Sequence, residues 1–290
     1  MPNNSAELMA RVIDDSHYVE SNGVGIFVSQ SFCSEAGLSH GFTTRIGGIS
    51  KPPFDALNLG TSRDEPYENI LANYKILSKA FGLDYDQLAL VRHEHGDNIL
   101  KIDSNAGGRG IAKPPLEFSD GFVTDDPEVT LMTCHADCSA FYLYDKQTRS
   151  IGLAHAGWKG MYKRIGQKLA LRLKSEYGAD ISQLKAVIGP CICQNCFEVE
   201  RELGERFAKE FDCPDIYSQC RLDDLGRPLK PDKAYVSLRT AAVIQLLDAG
   251  VKLENIRIMR RCTMEDKRHF YSYRRDGKNT GSMAAFLRLK

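Results

Sequence analysis

The sequence has no apolar run near the roughly 20 residues needed to span a bilayer, so no membrane helix is expected. It has no excess charge either, since 38 basic side chains balance 38 acidic ones. A broad nucleic-acid footprint needs a basic surplus, and that function class drops out. A local basic pocket for one small anion stays open. The segment Met1–Glu20 lacks the basic start and apolar centre of a signal peptide, and it carries Glu7, Asp14, Asp15 and Glu20. A cytoplasmic protein is the expectation, with no membrane or obligate protein partner. Nine cysteines are an odd number, and without a secretion signal a disulfide framework fits poorly. Reduced thiols then serve as small buried hydrophobes or in metal and catalytic chemistry. Internal repeats and low-complexity linkers are also missing.

What is present reads as one folded unit. Hydrophobic residues make up 42% and charged residues 26% of the 290, which suits a packed core and argues against disorder. Residues 1–22 read as a flexible tail, and 23–290 as a single catalytic domain. Strands are expected at Val24–Ser31, Leu88–Arg92, Thr130–Thr133, Ala140–Tyr144, Ser150–Ala154 and Leu184–Ile188. Helices are expected at Tyr67–Phe81, Met161–Tyr177, Glu198–Glu210 and Val236–Ala249. Ile165, Leu169 and Leu173 recur at spacing four and build one apolar face. Gly178 and Gly250 stand where helix-ending glycines belong. Tight βαβ alternation is absent, which favours an α+β fold with mixed sheets.

Chemistry concentrates in Thr133–Gly160, TCHADCSAFYLYDKQTRSIGLAHAGWKG. A turn at Asp145–Thr148 joins two expected strands. Cys138 precedes the first and His155 lies just past the second, and adjacent strands run about 4.8 Å apart, so a hairpin makes these residues neighbours. A thiolate and an imidazole are two ligands; a catalytic zinc takes a third and leaves one position open. His93 and His95, two apart, would share a face of a strand ending at Gly96, and spacing does not choose between them. Cys134 and His135 compete as ligands. Gly157 and Gly160 flank Trp158, the only tryptophan. Asp137 could orient His155, act as a base or simply cap a turn.

Three further regions carry candidates. In residues 188–199, Cys191, Cys193 and Cys196 form C-x-C-x-x-C, but a thiolate metal site needs a fourth donor, and Cys213 and Cys220 lack a partnered spacing. Thiols shielded along a pocket are the plainer reading. In residues 41–50, Arg45 before Gly47-Gly48 is a candidate anion cradle or an exposed turn arginine. In residues 269–286, Arg274, Arg275 and Lys278 suggest a basic loop, and Phe270, Tyr271 and Tyr273 alternate as in a strand whose face could stack a base.

In order, HGFTTRIGG, FDALNLG, HEHGDN, DGFVTD, ADCSAF, LAHAGWKG, IGPCICQNCFEV and FYSYRRDG-x-x-TG resemble the purine nucleoside phosphorylase (laccase-domain) family. The family was formerly labelled multicopper polyphenol oxidoreductase, and bacterial members are described as peptidoglycan editing factors. The resemblance runs from about His40 to Leu289. It implies a single domain of layered mixed β-sheets flanked by helices, cysteine-hydrolase-like. It implies zinc held by His95, Cys138 and His155, which selects His95 over His93. It further implies phosphorolysis of adenosine, inosine and methylthioadenosine, and adenosine deamination. The small-molecule partners would be a purine nucleoside and phosphate. Phosphate is expected at Arg45, more weakly at Lys159 and Arg274. His135, Arg92 and Cys193 depart from the usual pattern. Two other chemistries remain: a Cys–His hydrolase or amidase with Cys138 as nucleophile, and a copper-dependent phenol oxidase. Copper is disfavoured because a multicopper enzyme wants more than seven histidines.

Overall fold

The computed structural model describes residues 4–62, 64–219 and 230–290, which leaves Cys220 outside the described residues. The chain opens with helix α1 (Ser5–Arg11) and strands β1 (Ile13–Asp14), β2 (Ser16–Ser21) and β3 (Val24–Ser29). Helix α2 (Gln30–Cys33) leads into β4 (Leu38–Thr43), and a long loop then reaches α3 (Tyr67–Phe81). Strands β5 (Leu88–Leu90), β6 (Ile99–Lys101), β7 (Gly121–Thr124) and β8 (Thr130–His135) follow. A hairpin of β9 (Ser139–Asp145) and β10 (Ser150–Ala156) precedes α4 (Trp158–Tyr162) and α5 (Ile165–Tyr177). Next come β11 (Lys185–Ile188), β12 (Glu198–Glu200), α6 (Arg201–Glu210), β13 (Tyr217–Gln219), β14 (Lys233–Val236) and α7 (Leu238–Ala249). The chain closes with β15 (Ile256–Ile258), α8 (Tyr273–Asp276) and β16 (Met283–Leu289).

Two large mixed sheets stack face to face. One has seven strands in the order β1-β15-β11-β9-β10-β7-β6, the other six in the order β2-β3-β4-β16-β8-β5. A small antiparallel sheet, β12-β14-β13, stands apart. The period of two along β9 explains the layering. Ala140, Tyr142 and Tyr144 face the inter-sheet core with Phe42, Leu131 and Leu287, while Phe141 and Leu143 face α5 and α7. Every residue of β9 and β10 is buried because both faces are covered, which is why these strands read as continuous apolar runs. Ile165, Leu169 and Leu173 form the buried face of α5, and each such side chain contributes on the order of 1.5–3 kcal/mol. Helix α3 covers the other sheet through Ile70, Tyr74 and Leu77. The result is an α+β domain of layered mixed sheets between helices.

Several local expectations hold. Helix α3 has the expected bounds, and Gly178 and Gly250 end α5 and α7 with φ of 74° and 107°. Others are corrected. Residues 5–21 are no loose tail: Leu8 and Val12 enter the core, β1 pairs in parallel with β15, and β2 pairs with β3 along its whole length. Their polar composition hid two apolar anchors and an edge strand. The helix expected at Met161–Tyr177 is two, because Arg164 takes a left-handed φ of 63°. Its guanidinium bonds Glu210 of α6 and Asp248 of α7, at 2.6 and 2.7 Å. Glu198–Glu200 join a sheet rather than α6. Phe270 and Tyr271 are core residues outside any strand, and Tyr273 opens α8.

Candidate metal centre

The β9–β10 register pairs His155 with Ala140 and Ala156 with Ser139, which sets His155 beside Cys138 at the open end of the hairpin. The third member arrives on a loop. No strand carries His93 and His95 as expected; His95 has a left-handed φ of 57°. The loop is curled around one buried side chain, Asp120, which immediately precedes β7. The N–H groups of Glu94, His95 and Gly96 donate to its carboxylate at 3.3, 3.2 and 2.6 Å. Such a nest of amides suits an anion. His155 Nδ1 donates to the same carboxylate at 2.8 Å, and the His155 backbone N–H donates to the Asp120 carbonyl at 2.7 Å. One residue therefore sets the position of both histidines.

With Nδ1 committed to Asp120, His155 presents Nε2 to its neighbours. One donor atom from each of His95, Cys138 and His155 lies within 4.8 Å of the others. Burial would push the Cys138 thiol up, but His155 and His95 beside it bring it down to about 7. Burial would lower His155, yet the Cys138 sulfur and Asp120 raise it to about 9. Asp120 is held below the ordinary carboxylate range: burial opposes ionisation, and the His155 bond and converging amides override it.

Two of the competing donors, His135 and Cys134, are engaged elsewhere. His135 Nδ1 donates to the Cys138 carbonyl at 3.0 Å, and its Nε2 is 2.7 Å from Thr133 Oγ1, so both nitrogens are engaged. Cys134 Sγ donates to the Leu59 carbonyl at 3.2 Å on the α3 side of its sheet. His93 stacks on His155 with ring centroids 4.2 Å apart. Asp137 does not orient His155; that is Asp120. Instead, Asp137 accepts from Thr263 Oγ1, Ser272 Oγ and the Arg274 N–H at 2.6, 2.9 and 2.7 Å, and so ties the Thr263 loop to the start of α8.

The three donors open into a cavity of about 740 Å³. Phe118, Trp158 and Tyr273 line it, each with a third to a half of its surface exposed. Arg92 and Arg274 also line it, with Arg92 stacked on Phe118 at 3.9 Å. Two expected phosphate ligands are not among the lining residues. Arg45 pairs with Asp55 at 3.2 Å and lies over Tyr271, and Lys159 sits on α4 near Trp158. The thiols of 191–196 do not line it either; Ile192 and Phe197 do.

The residues fit a resident metal. A thiolate and two imidazoles are a borderline-soft set with one side open, the pattern of catalytic zinc. A Cβ at Gly157 would meet His95 Cδ2 at 2.9 Å and Cys138 Sγ at 3.3 Å, so glycine keeps the donors free. Sequence reasoning did not single out Asp120. Its one signal was the aspartate heading DGFVTD, and nothing in spacing joins that residue to His155.

The family described as multi-copper polyphenol oxidoreductase laccase matches residues 39–290. The purine nucleoside phosphorylase YlmD of Bacillus subtilis is 29% identical over 253 residues, 86% of this chain and 88% of that protein. A purine nucleoside phosphorylase of Deinococcus radiodurans is 33% identical over 252 residues, 87% of this chain and 89% of that protein. The crystal structure of YlmD from Geobacillus stearothermophilus is similar with a TM-score of 0.84 at 28% identity, covering 96% of this chain and 99% of that one.

Proposed function

The chain belongs to the multi-copper polyphenol oxidoreductase laccase family, and on that premise we propose that it is a zinc-dependent purine nucleoside phosphorylase. The substrates are adenosine, inosine and methylthioadenosine, with adenosine deamination as a second activity of the same site. The observation that carries this reading is the set His95, Cys138 and His155 opening into a cavity lined by three exposed aromatic rings. Zinc, when bound, supplies Lewis acidity at the open position. The chain's own residues do the rest. Asp120 holds His155 in the tautomer that leaves Nε2 free. Phe118, Trp158 and Tyr273 offer flat apolar faces to a purine. Arg274, anchored through Asp137, and Arg92 offer charge to phosphate. Arg274 is one of the three phosphate ligands expected, and Arg92 joins it where Arg45 and Lys159 do not line the cavity. The eight cysteines among the described residues form no disulfide with one another, so their thiols stay available to a metal.

One observation favours a second reading. Asp120, His155 and Cys138 are joined in a line, with the thiol lowered and the imidazole raised, as in a Cys–His hydrolase. A multicopper oxidase is supported less: among the described residues, neither donor group contains more than two histidines.

Product analysis separates these readings. Metal-characterised protein is mixed with inosine or adenosine, with and without phosphate. Phosphate-dependent release of hypoxanthine and adenine is expected, lost in Cys138→Ala and lost on chelation until zinc is restored. No product from either nucleoside would remove the phosphorylase reading. Iodoacetamide inactivation that substrate blocks and chelator leaves unchanged would put the hydrolase first.

A further inference from the structure

The fold brings together a second group of donors far from one another in sequence. Cys193 and Cys196 lie on the loop after β11, and Cys262 and Glu265 lie after β15. The spacing is C-x-x-C on one segment and C-x-x-E on the other, the paired arrangement that zinc-binding turns use. Cys191 of the motif is not among the donors, and the distant segment supplies the third sulfur and the carboxylate. One donor atom from each of the four residues lies within 4.8 Å of the others.

The backbone builds this grouping. The N–H groups of Cys196 and Phe197 both donate to the Cys193 carbonyl, at 3.1 and 3.0 Å, so the chain curls and brings Cys196 back beside Cys193. The N–H of Cys193 donates across to Cys262 Sγ at 3.3 Å. Cys191 and Cys262 form an isolated bridge that holds the two segments in register. Cys196 Sγ lies 3.6 Å from Glu265 Oε1. Three thiols and a carboxylate this close suit a cation better than apolar packing. Cys262 is buried, Cys193 and Cys196 are half-buried and Glu265 is exposed, so an ion can enter from solvent.

We propose that Cys193, Cys196, Cys262 and Glu265 form a second, closed site for one Zn²⁺. Sulfur donors select a borderline-soft ion, and four protein ligands complete a tetrahedron. Binding releases the thiol protons to solvent, with no change of oxidation state. None of the four donors lines the cavity, so the site has no route to substrate and its work is structural. Its neighbours are cavity parts: Ile192 and Phe197 line the wall, and Thr263 donates to Asp137. Arg274 reaches back to the Glu198 carbonyl at 2.8 Å. The ion staples that wall. This does not depend on the phosphorylase reading.

The test uses the full chain carrying His95→Ala, Cys138→Ala and His155→Ala, reduced, stripped of metal and titrated with Co²⁺. One ion per chain is expected, with a thiolate-to-cobalt charge-transfer band. Adding Cys196→Ser and Cys262→Ser should abolish both, while Cys33→Ser should change neither. Uptake of no cobalt by the folded triple variant would overturn the site, as would unchanged uptake after the two serines are added. If the triple variant does not fold, native mass spectrometry of the zinc-loaded parent decides. Two ions are expected, falling to one with Cys196→Ser/Cys262→Ser, and an unchanged count overturns the proposal. So does a Cys196–Cys262 or Cys193–Cys262 disulfide whose reduction restores no metal uptake.

Discussion

The two donor groups of this molecule are built in opposite ways. His95, Cys138 and His155 number three, and two of them stand at the end of a hairpin inside a seven-stranded sheet. Behind them is a buried carboxylate, and in front a cavity. Cys193, Cys196, Cys262 and Glu265 number four, stand on two loops and do not line that cavity. The first group is held open by its scaffold. Asp120 and the strand ends keep its donors in place, which leaves a coordination position for chemistry. The second stands on loops joined by an isolated bridge and by the Arg239 guanidinium, which donates to the Cys191 and Arg261 carbonyls, and the proposed ion adds rigidity between them.

The largest test of this contrast is Asp120→Asn. The carboxamide cannot accept from three amides and His155 with the same charge. Zinc affinity of the open group should fall about 100-fold, the upper end for an orienting partner. Equilibrium competition with a chelator measures it, and cobalt uptake by the thiol cluster should not change. Loss of both ions would break the contrast, because the two groups would then share one scaffold.

A smaller effect calibrates what burial alone does to an imidazole. His40 is remote from both groups, and its Nε2 accepts the Ser29 N–H at 2.8 Å, so the ring must be neutral. Burial pushes its pKa down to about 4, against an opposing pull from Asp15. In the unfolded chain the ring titrates near 6.5. As pH falls from about 6.5 to 4, the unfolded state binds the proton first, and stability falls. At pH 5 the loss is about 2 kcal/mol, and above about 7 it vanishes. Urea midpoints at pH 7 and pH 5 should show this drop, and His40→Gln, which keeps an acceptor, should flatten it. An equal slope in that variant would assign the effect elsewhere.

The smallest expected effect is at Gly157. In Gly157→Ala the new methyl presses on His95 and Cys138, a cost of about 1 kcal/mol. Zinc should leave the open group about fivefold more readily, read as release to a chromogenic chelator, while the thiol cluster is untouched.

Much of the scaffold was legible because its signals are local. Helix α3 shows its apolar spacing within one stretch, and β9 and β10 are bounded apolar runs around a polar turn. Cys138 and His155 followed from that hairpin. The break at Arg164 was not legible, because its partners Glu210 and Asp248 lie on other helices. Nor was the order in residues 5–21, whose strand partners are β3 and β15.

By itself the sequence determined the hairpin and the pairing of its one thiol with its one imidazole, since both depend on a single turn and the two strands it joins. Only the tertiary structure decided which carboxylate stands behind His155, since Asp120 lies 35 residues away. It alone retired Arg45 and Lys159 from the cavity and joined Cys193 to Cys262 across 69 residues. Spacing encodes a contact when a turn or strand carries it; a contact made by packing two sheets and their loops is recorded only in the assembled core.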